Sequence, residues 1–230
     1  MAEVVLALDL PSGREAIRLL DRLPEVRWVK VGSIVMTAEG PDLVRVLADR
    51  GLRVFLDLKW HDIPNTVAGA VRAARRLGAS MVTVHALGGR AMMEAAAAAA
   101  GGQLAVVAVT VLTSHDSASY ARALGRRDVD LAREVERQSG EAARAGLAGV
   151  VCSPVEVALV RRAAGPEARI VVPGIRRAGE ERGDQARVAT AAEAAAAGAT
   201  HLVVGRPVLQ ADDPPAAFGA LLQEARCGDS

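Results

Sequence analysis

The chain has 230 residues, 51% hydrophobic and 24% charged, with 28 basic against 27 acidic side chains and a formal net charge of +1. Such a length buries a large core as one large domain or two small ones, and so even a balance of charge points to neither nucleic acid nor an anionic membrane as a partner. The five aromatic residues (two Trp, two Phe, one Tyr) are too few for a base-stacking platform, and no apolar run approaches the roughly 20 residues that span a bilayer.

Short runs rich in β-branched residues and leucine recur along the chain, each followed by a stretch with apolar residues at helical spacing. Strands are predicted at 4–9, 28–31, 53–57, 81–85, 104–109, 149–152, 169–172 and 201–204. Helices are predicted at 14–23, 41–50 and 66–77 among others, and Gly51, Gly78, Gly146 and Gly198 stand where helices should stop. The first strand begins by Val4 with no secretion signal ahead of it, so a cytoplasmic protein is expected. Cys152 and Cys227 lie far apart without metal-ligand spacing, as expected of thiols in a reducing compartment. The alanine run at 95–100 reads as helix former rather than as function.

Eight strand–helix units with apolar strands argue a parallel sheet covered by helices. A closed (β/α)8 barrel forming a single domain over residues 1–230 fits both the count and the length, about 250 residues being usual. A doubly wound open sheet is the alternative, but no glycine-rich dinucleotide fingerprint follows the first strand.

The ten residues DLKWHDIPNT at 57–66 carry the densest chemistry. They follow the apolar run Val54–Phe55–Leu56, so they read as the end of a buried strand entering a loop. Alternation along a strand puts Asp57 and Lys59 on one face. Asp62 follows in the loop, and Pro64 suits the first turn of a helix. Three charges at one strand end are costly unless paired, which suggests chemistry, although a surface ion pair accounts for the triplet alone.

In a barrel, catalytic groups gather at the C-terminal ends of the strands. Asp9, Lys30, Asp57 with Lys59, His85, Thr110 with Thr113, and Arg206 all fall at or just after such ends. Any one aspartate there could be a helix cap; two aspartates and two lysines at three consecutive strand ends are harder to dismiss. After strand seven comes the charged, glycine-punctuated loop PGIRRAGEERGDQAR at 173–187, and strand eight runs into VVGRPV. Gly205 would let backbone approach a ligand and Arg206 offers a two-pronged donor, where barrels commonly hold phosphate. A solvated loop with surface arginines is the plainer alternative. His85, His115 and His201 read as core or loop histidines.

The motifs LALD at 6–9, DLKWHDIPNT, PGIR followed nine residues later by Gln185, and VVGRPV at 203–208 together resemble the orotidine 5'-phosphate decarboxylase family, over nearly the whole chain. The resemblance implies a (β/α)8 barrel, a homodimer with active sites shared at the subunit interface, and conversion of orotidine 5'-monophosphate to UMP without metal or organic cofactor. It implies a charged tetrad of Lys30, Asp57, Lys59 and Asp62, with Lys59 protonating C6 and Asp57 beside the departing CO2. Asp62 and Thr66 would reach the partner subunit's site. Asp9 and Lys30 would contact ribose, Thr113 the pyrimidine ring, and Arg176, Gln185, Gly205 and Arg206 the phosphate. A related group, the 3-keto-L-gulonate 6-phosphate decarboxylases and hexulose-phosphate synthases, shares D-x-K-x-x-D but uses Mg2+ and a sugar phosphate. The DIPNT ending, Thr113 and Gln185 favour the nucleotide enzyme. A catalytically dead nucleotide-binding barrel is a further alternative, against which the intact tetrad argues.

Overall fold

A computed structural model describes residues 1–176 and 188–227. Eight strands, β1 (Glu3–Ala7), β2 (Trp28–Gly32), β3 (Arg53–Trp60), β4 (Met81–His85), β5 (Ala105–Val109), β6 (Gly149–Val151), β7 (Arg169–Val172) and β8 (His201–Val204), form a closed barrel in sequence order. Every strand pairs in parallel with its neighbours, and β8 closes on β1 through the register Glu3↔His201 to Leu6↔Val204. All residues of β2 and β5 are buried, because one face of each strand fills the barrel and the other lies under helices. That is why these strands read as apolar runs rather than as alternating patterns.

The described helices are α1 (Gly13–Asp21), α2 (Ser33–Glu39), α3 (Asp42–Asp49), α4 (Pro64–Arg76), α5 (Arg90–Ala100), α6 (Ser117–Ala123), α7 (Leu131–Arg144), α8 (Val157–Ala164), α9 (Ala191–Ala196), α10 (Arg206–Leu209) and α11 (Pro214–Cys227). Their ends follow local chemistry. The Ser12 hydroxyl accepts the Glu15 N–H at 3.3 Å to start α1. Pro64 opens α4, where its missing N–H is not needed. Gly51 and Gly78, with φ of 79° and 87°, turn the chain out of α3 and α4 in the left-handed conformation that a side chain resists. Among the described residues, no helix is long and apolar enough to cross a membrane.

Three differences from the sequence-based expectation matter. Strand β1 stops at Ala7, so Asp9 lies two residues beyond it. A short helix, α2, directly follows β2. Strand β3 does not end at Asp57 but continues to Trp60, which pairs with Val84 after a register shift beginning at Leu56. The residues 57–59 between those two pairings form the irregularity that the alternation rule passes over.

Two apolar cores result. A large one lies between strands and helices, and a smaller one fills the barrel with Val5, Trp28, Phe55, Met81, Val107 and Val203 among its members. At the N-terminal mouth the Trp28 and His201 rings meet edge to face, centroids 5.0 Å apart. The Arg53 guanidinium lies 5.6 Å from the centre of the Trp28 ring. Burial, with the Arg169 and Arg53 charges adding to it, lowers the His201 pKa from 6.5 to about 4.

This histidine couples stability to acidity. Between pH 6.5 and 4 the unfolded chain binds a proton at residue 201 that the folded protein refuses, so stability falls as pH falls through that window. A full displacement of this size corresponds to roughly 3 kcal/mol. Relative to a His201→Phe variant, wild type should therefore lose up to about 3 kcal/mol between pH 7 and pH 4 in denaturant titrations. A stability difference that is the same at both pH values would show that His201 does not titrate in the core.

Candidate active site

The C-terminal ends of the strands surround a cavity of about 720 Å3, within the range of sites that hold small ligands. The segment after β1 supplies Asp9, β2 and β3 supply Lys30, Asp57 and Lys59, the segments after β7 and β8 supply Arg176, Gly205 and Arg206, and Thr113 comes from the loop after β5.

The four charges form a chain of alternating sign. Lys59 Nζ lies 2.9 Å from Asp57 Oδ2, Lys30 Nζ lies 3.7 Å from the same oxygen, and Lys30 Nζ also donates to Asp9 Oδ1 at 3.0 Å. Lys30 and Asp57 side chains are 11% and 12% exposed, whereas Lys59 and Asp9 each keep 40%. The inner pair is thus a fixed, shielded couple and the outer two are open to an incoming molecule. The other carboxylate oxygen of Asp57 accepts the Thr83 hydroxyl at 3.0 Å, and that hydroxyl also accepts the Lys59 backbone N–H at 2.8 Å.

Local backbone explains how Lys59 takes its place. Its φ is +52°, the sole positive φ at a non-glycine among the described residues. A side chain in this left-handed region costs of order 1 kcal/mol or more. Gly32, at the end of β2, solves a separate packing problem. A Cβ there would fall 2.8 Å from Lys30 Nζ and 3.1 Å from Asp9 Oδ1, so the absence of a side chain leaves the space that this ion pair occupies.

Asp62 and Thr66 do not line the cavity. Both are exposed, Asp62 just before α4 and Thr66 within its first turn. The Asp62 carboxylate accepts the adjacent Ile63 N–H at 2.6 Å. Arg176 is buried and donates to its neighbour's carbonyl, that of Ile175, at 2.8 Å. Arg206 is the first residue of α10 and half-buried at the cavity wall. Gln185 lies outside the described residues, as does the stretch of charged loop from 177 to 187.

The histidines separate by position. His201 belongs to the opposite mouth of the barrel. His85, at the end of β4, stacks on His61 with ring centroids 5.6 Å apart. Burial, then the neighbouring His61 and Lys59 charges, hold its pKa below the usual value, and its Nδ1 accepts the Leu87 N–H at 3.3 Å. His115 pairs with Ser119 at 3.1 Å beside Tyr120.

The family model for orotidine 5'-phosphate decarboxylase / HUMPS matches residues 2–221. The chain belongs to this family. It is 50% identical to the orotidine 5'-phosphate decarboxylase of Moorella thermoacetica, across 96% of this chain and 91% of that one. With the enzyme of the same name from Halorhodospira halophila it shares 52% identity over 96% and 94% of the two chains. The crystal structure of orotidine 5'-phosphate decarboxylase from Lactobacillus acidophilus superposes with a TM-score of 0.86 at 35% identity, covering 98% of this chain and 99% of that one.

Sequence reasoning about this family site missed Thr83 and Gly32. Thr83 sits in the middle of an apolar strand, where a threonine reads as a β former; only the partner strand shows what its hydroxyl touches. Gly32 could have been found as a glycine two residues after a strand-end lysine.

The Lys59 backbone conformation carries its own test. Lys59→Gly and Lys59→Ala both delete the amine, but only alanine keeps a Cβ at φ +52°. The glycine variant should be the more stable by about 1 kcal/mol in denaturant unfolding. An alanine variant that is equally or more stable would mean that Lys59 is not held left-handed.

Proposed function

We propose that the chain decarboxylates orotidine 5'-monophosphate to UMP and CO2 in de novo pyrimidine synthesis. It would do so as a cytoplasmic homodimer of single-domain barrels, without metal or organic cofactor. The observation that carries this reading is the alternating array Lys59–Asp57–Lys30–Asp9 in a cavity that two arginines, Arg176 and Arg206, also line.

The reaction breaks the bond from C6 to the carboxylate and leaves its electron pair on C6. There is no cofactor to delocalise that pair in this proposal, so stabilisation must come from charge already in position. Lys59 fits the task because its ammonium is held by Asp57 at 2.9 Å yet remains 40% exposed to the cavity. It offsets the developing negative charge at C6 and then transfers a proton to it, giving UMP and a neutral amine that water recharges. Asp57 places a second negative charge by the substrate carboxylate, which favours departure of CO2 over retention of the carboxylate. The family resemblance assigns Lys30 and Asp9 to the ribose hydroxyls, Thr113 to the pyrimidine, and Arg176, Gln185, Gly205 and Arg206 to the phosphate. Guanidinium forks suit phosphate geometry, and binding energy gained there can organise the reacting end.

The test is a direct absorbance assay for loss of orotidine 5'-monophosphate, with and without EDTA. Wild type should turn the substrate over equally in both, and Lys59→Ala should abolish turnover while leaving the fold intact. Retention of more than a few per cent of the wild-type kcat would remove Lys59 as proton donor. Turnover lost in EDTA and restored by Mg2+ would favour the sugar-phosphate branch of the family instead.

A shared site is the second part of the proposal. Asp62 and Thr66 stand on an exposed ridge outside the cavity, with Ile63 between them 67% exposed, the kind of surface that a subunit interface covers. Mixing inactive Lys59→Ala with inactive Asp62→Ala protomers should restore activity. Random reassortment makes about half the dimers mixed, and each mixed dimer has one doubly altered and one intact site, so about a quarter of wild-type activity should return. Exchange confirmed by mass, with activity no higher than that of the single variants, would show that each chain completes its own site.

A further inference from the structure

We propose that Thr83 is a positioning residue of the active site: its single hydroxyl sets both the orientation of the Asp57 carboxylate and the backbone of Lys59. This rests on the decarboxylase reading above.

The geometry leads there in three steps. Leu56 of β3 pairs with Val82 of β4, and the next pairing is Trp60 with Val84. Residues 57, 58 and 59 therefore stand opposite Thr83 alone. A regular parallel ladder matches one residue to one, so this stretch has backbone groups that the ladder cannot satisfy. The Lys59 N–H is one of them, and the Thr83 hydroxyl oxygen accepts it at 2.8 Å.

The Asp57 carboxylate, which can only accept, determines where the hydroxyl proton goes. A threonine hydroxyl has one proton to give. With its oxygen already accepting from Lys59, it donates the proton to Asp57 Oδ1 at 3.0 Å. Asp57 is thereby divided: Oδ1 belongs to Thr83, and Oδ2 is left to face Lys59 at 2.9 Å and Lys30 at 3.7 Å. Thr83 is fully buried, so no water competes for either bond.

The third step is the strain. Lys59 sits at φ +52°, a conformation that persists only where surroundings hold it. The Thr83 contact holds the N–H side of that residue, and the Lys59–Asp57 ion pair holds the ammonium. The same hydroxyl anchors both ends of the catalytic pair while touching neither the cavity nor any substrate that fills it. Its effect should appear in the chemical step rather than in ligand affinity.

The experiment compares Thr83→Val, Thr83→Ser and wild type in three readouts. These are kcat for orotidine 5'-monophosphate, the affinity and stoichiometry of UMP binding by calorimetry, and thermal unfolding. Valine keeps the shape of threonine and removes the hydroxyl; serine keeps the hydroxyl. Thr83→Val should lower kcat at least about tenfold, with UMP affinity within about threefold of wild type and binding-site stoichiometry unchanged. Thr83→Ser should recover kcat to within about threefold of wild type. The proposal is overturned if Thr83→Val keeps wild-type kcat, if its activity falls only in step with lost UMP sites, or if Thr83→Ser is as impaired as Thr83→Val. Should the valine variant not fold, Thr83→Ala carries the same comparison. Wild-type protein that binds UMP but leaves orotidine 5'-monophosphate untouched would instead sink the decarboxylase reading, a result distinct from any of these.

Discussion

The Asp57 carboxylate is the point on which the site depends. It receives a hydroxyl proton on one oxygen and two ammonium groups on the other. A carboxylate that is 12% exposed would be costly alone. Here the cost is offset by partners from β2, β3 and β4, so the same contacts that make the charge tolerable also orient it. Lys59 and Lys30 are kept from collapsing onto solvent, and Lys30 passes the pattern on to Asp9. The result is an ordered line of charges at the lip of a cavity. In the proposed decarboxylation, fixed charge of this kind would stabilise a developing carbanion.

The barrel makes this arrangement possible through the closure of strands. Residues 9, 30, 57 and 83 are far apart in the chain, yet parallel neighbours bring their strand ends side by side. Parallel pairing also places every strand's C-terminal end at the same mouth, which is why Arg176 and Arg206 line the same cavity as the lysines. The opposite mouth is closed by Trp28, His201 and Arg53. The irregular backbone at Lys59 lies at the C-terminal end.

The irregular backbone is concentrated at the candidate site. Strand β3 departs from its ladder with β4 at 57–59, and Lys59 is the non-glycine residue with positive φ among those described. A protein folding for stability alone would have no use for a lysine in that conformation. Its presence beside Asp57 fits the tendency of strain to gather at functional sites.

Sequence by itself determined the strand order, the barrel class and most of the rim. Apolar runs of strand length, helix-stopping glycines and the DLKWHDIPNT stretch are local signals, and local rules read them. It also brought Asp9, Lys30, Asp57, Lys59 and Arg206 to one rim, because in a parallel barrel strand order alone brings the C-terminal ends together. What it could not supply was the pairing across strands. Alternation along β3 is blind to the register shift against β4, so neither the extension to Trp60 nor the role of Thr83 was legible. The space left by Gly32 for Lys30 and Asp9 was equally hidden, since steric room depends on a neighbouring strand. Only the tertiary structure decided which oxygen of Asp57 faces which partner, because hydrogen bonds and ion pairs between strands are fixed by their relative register and not by the residues of either strand alone.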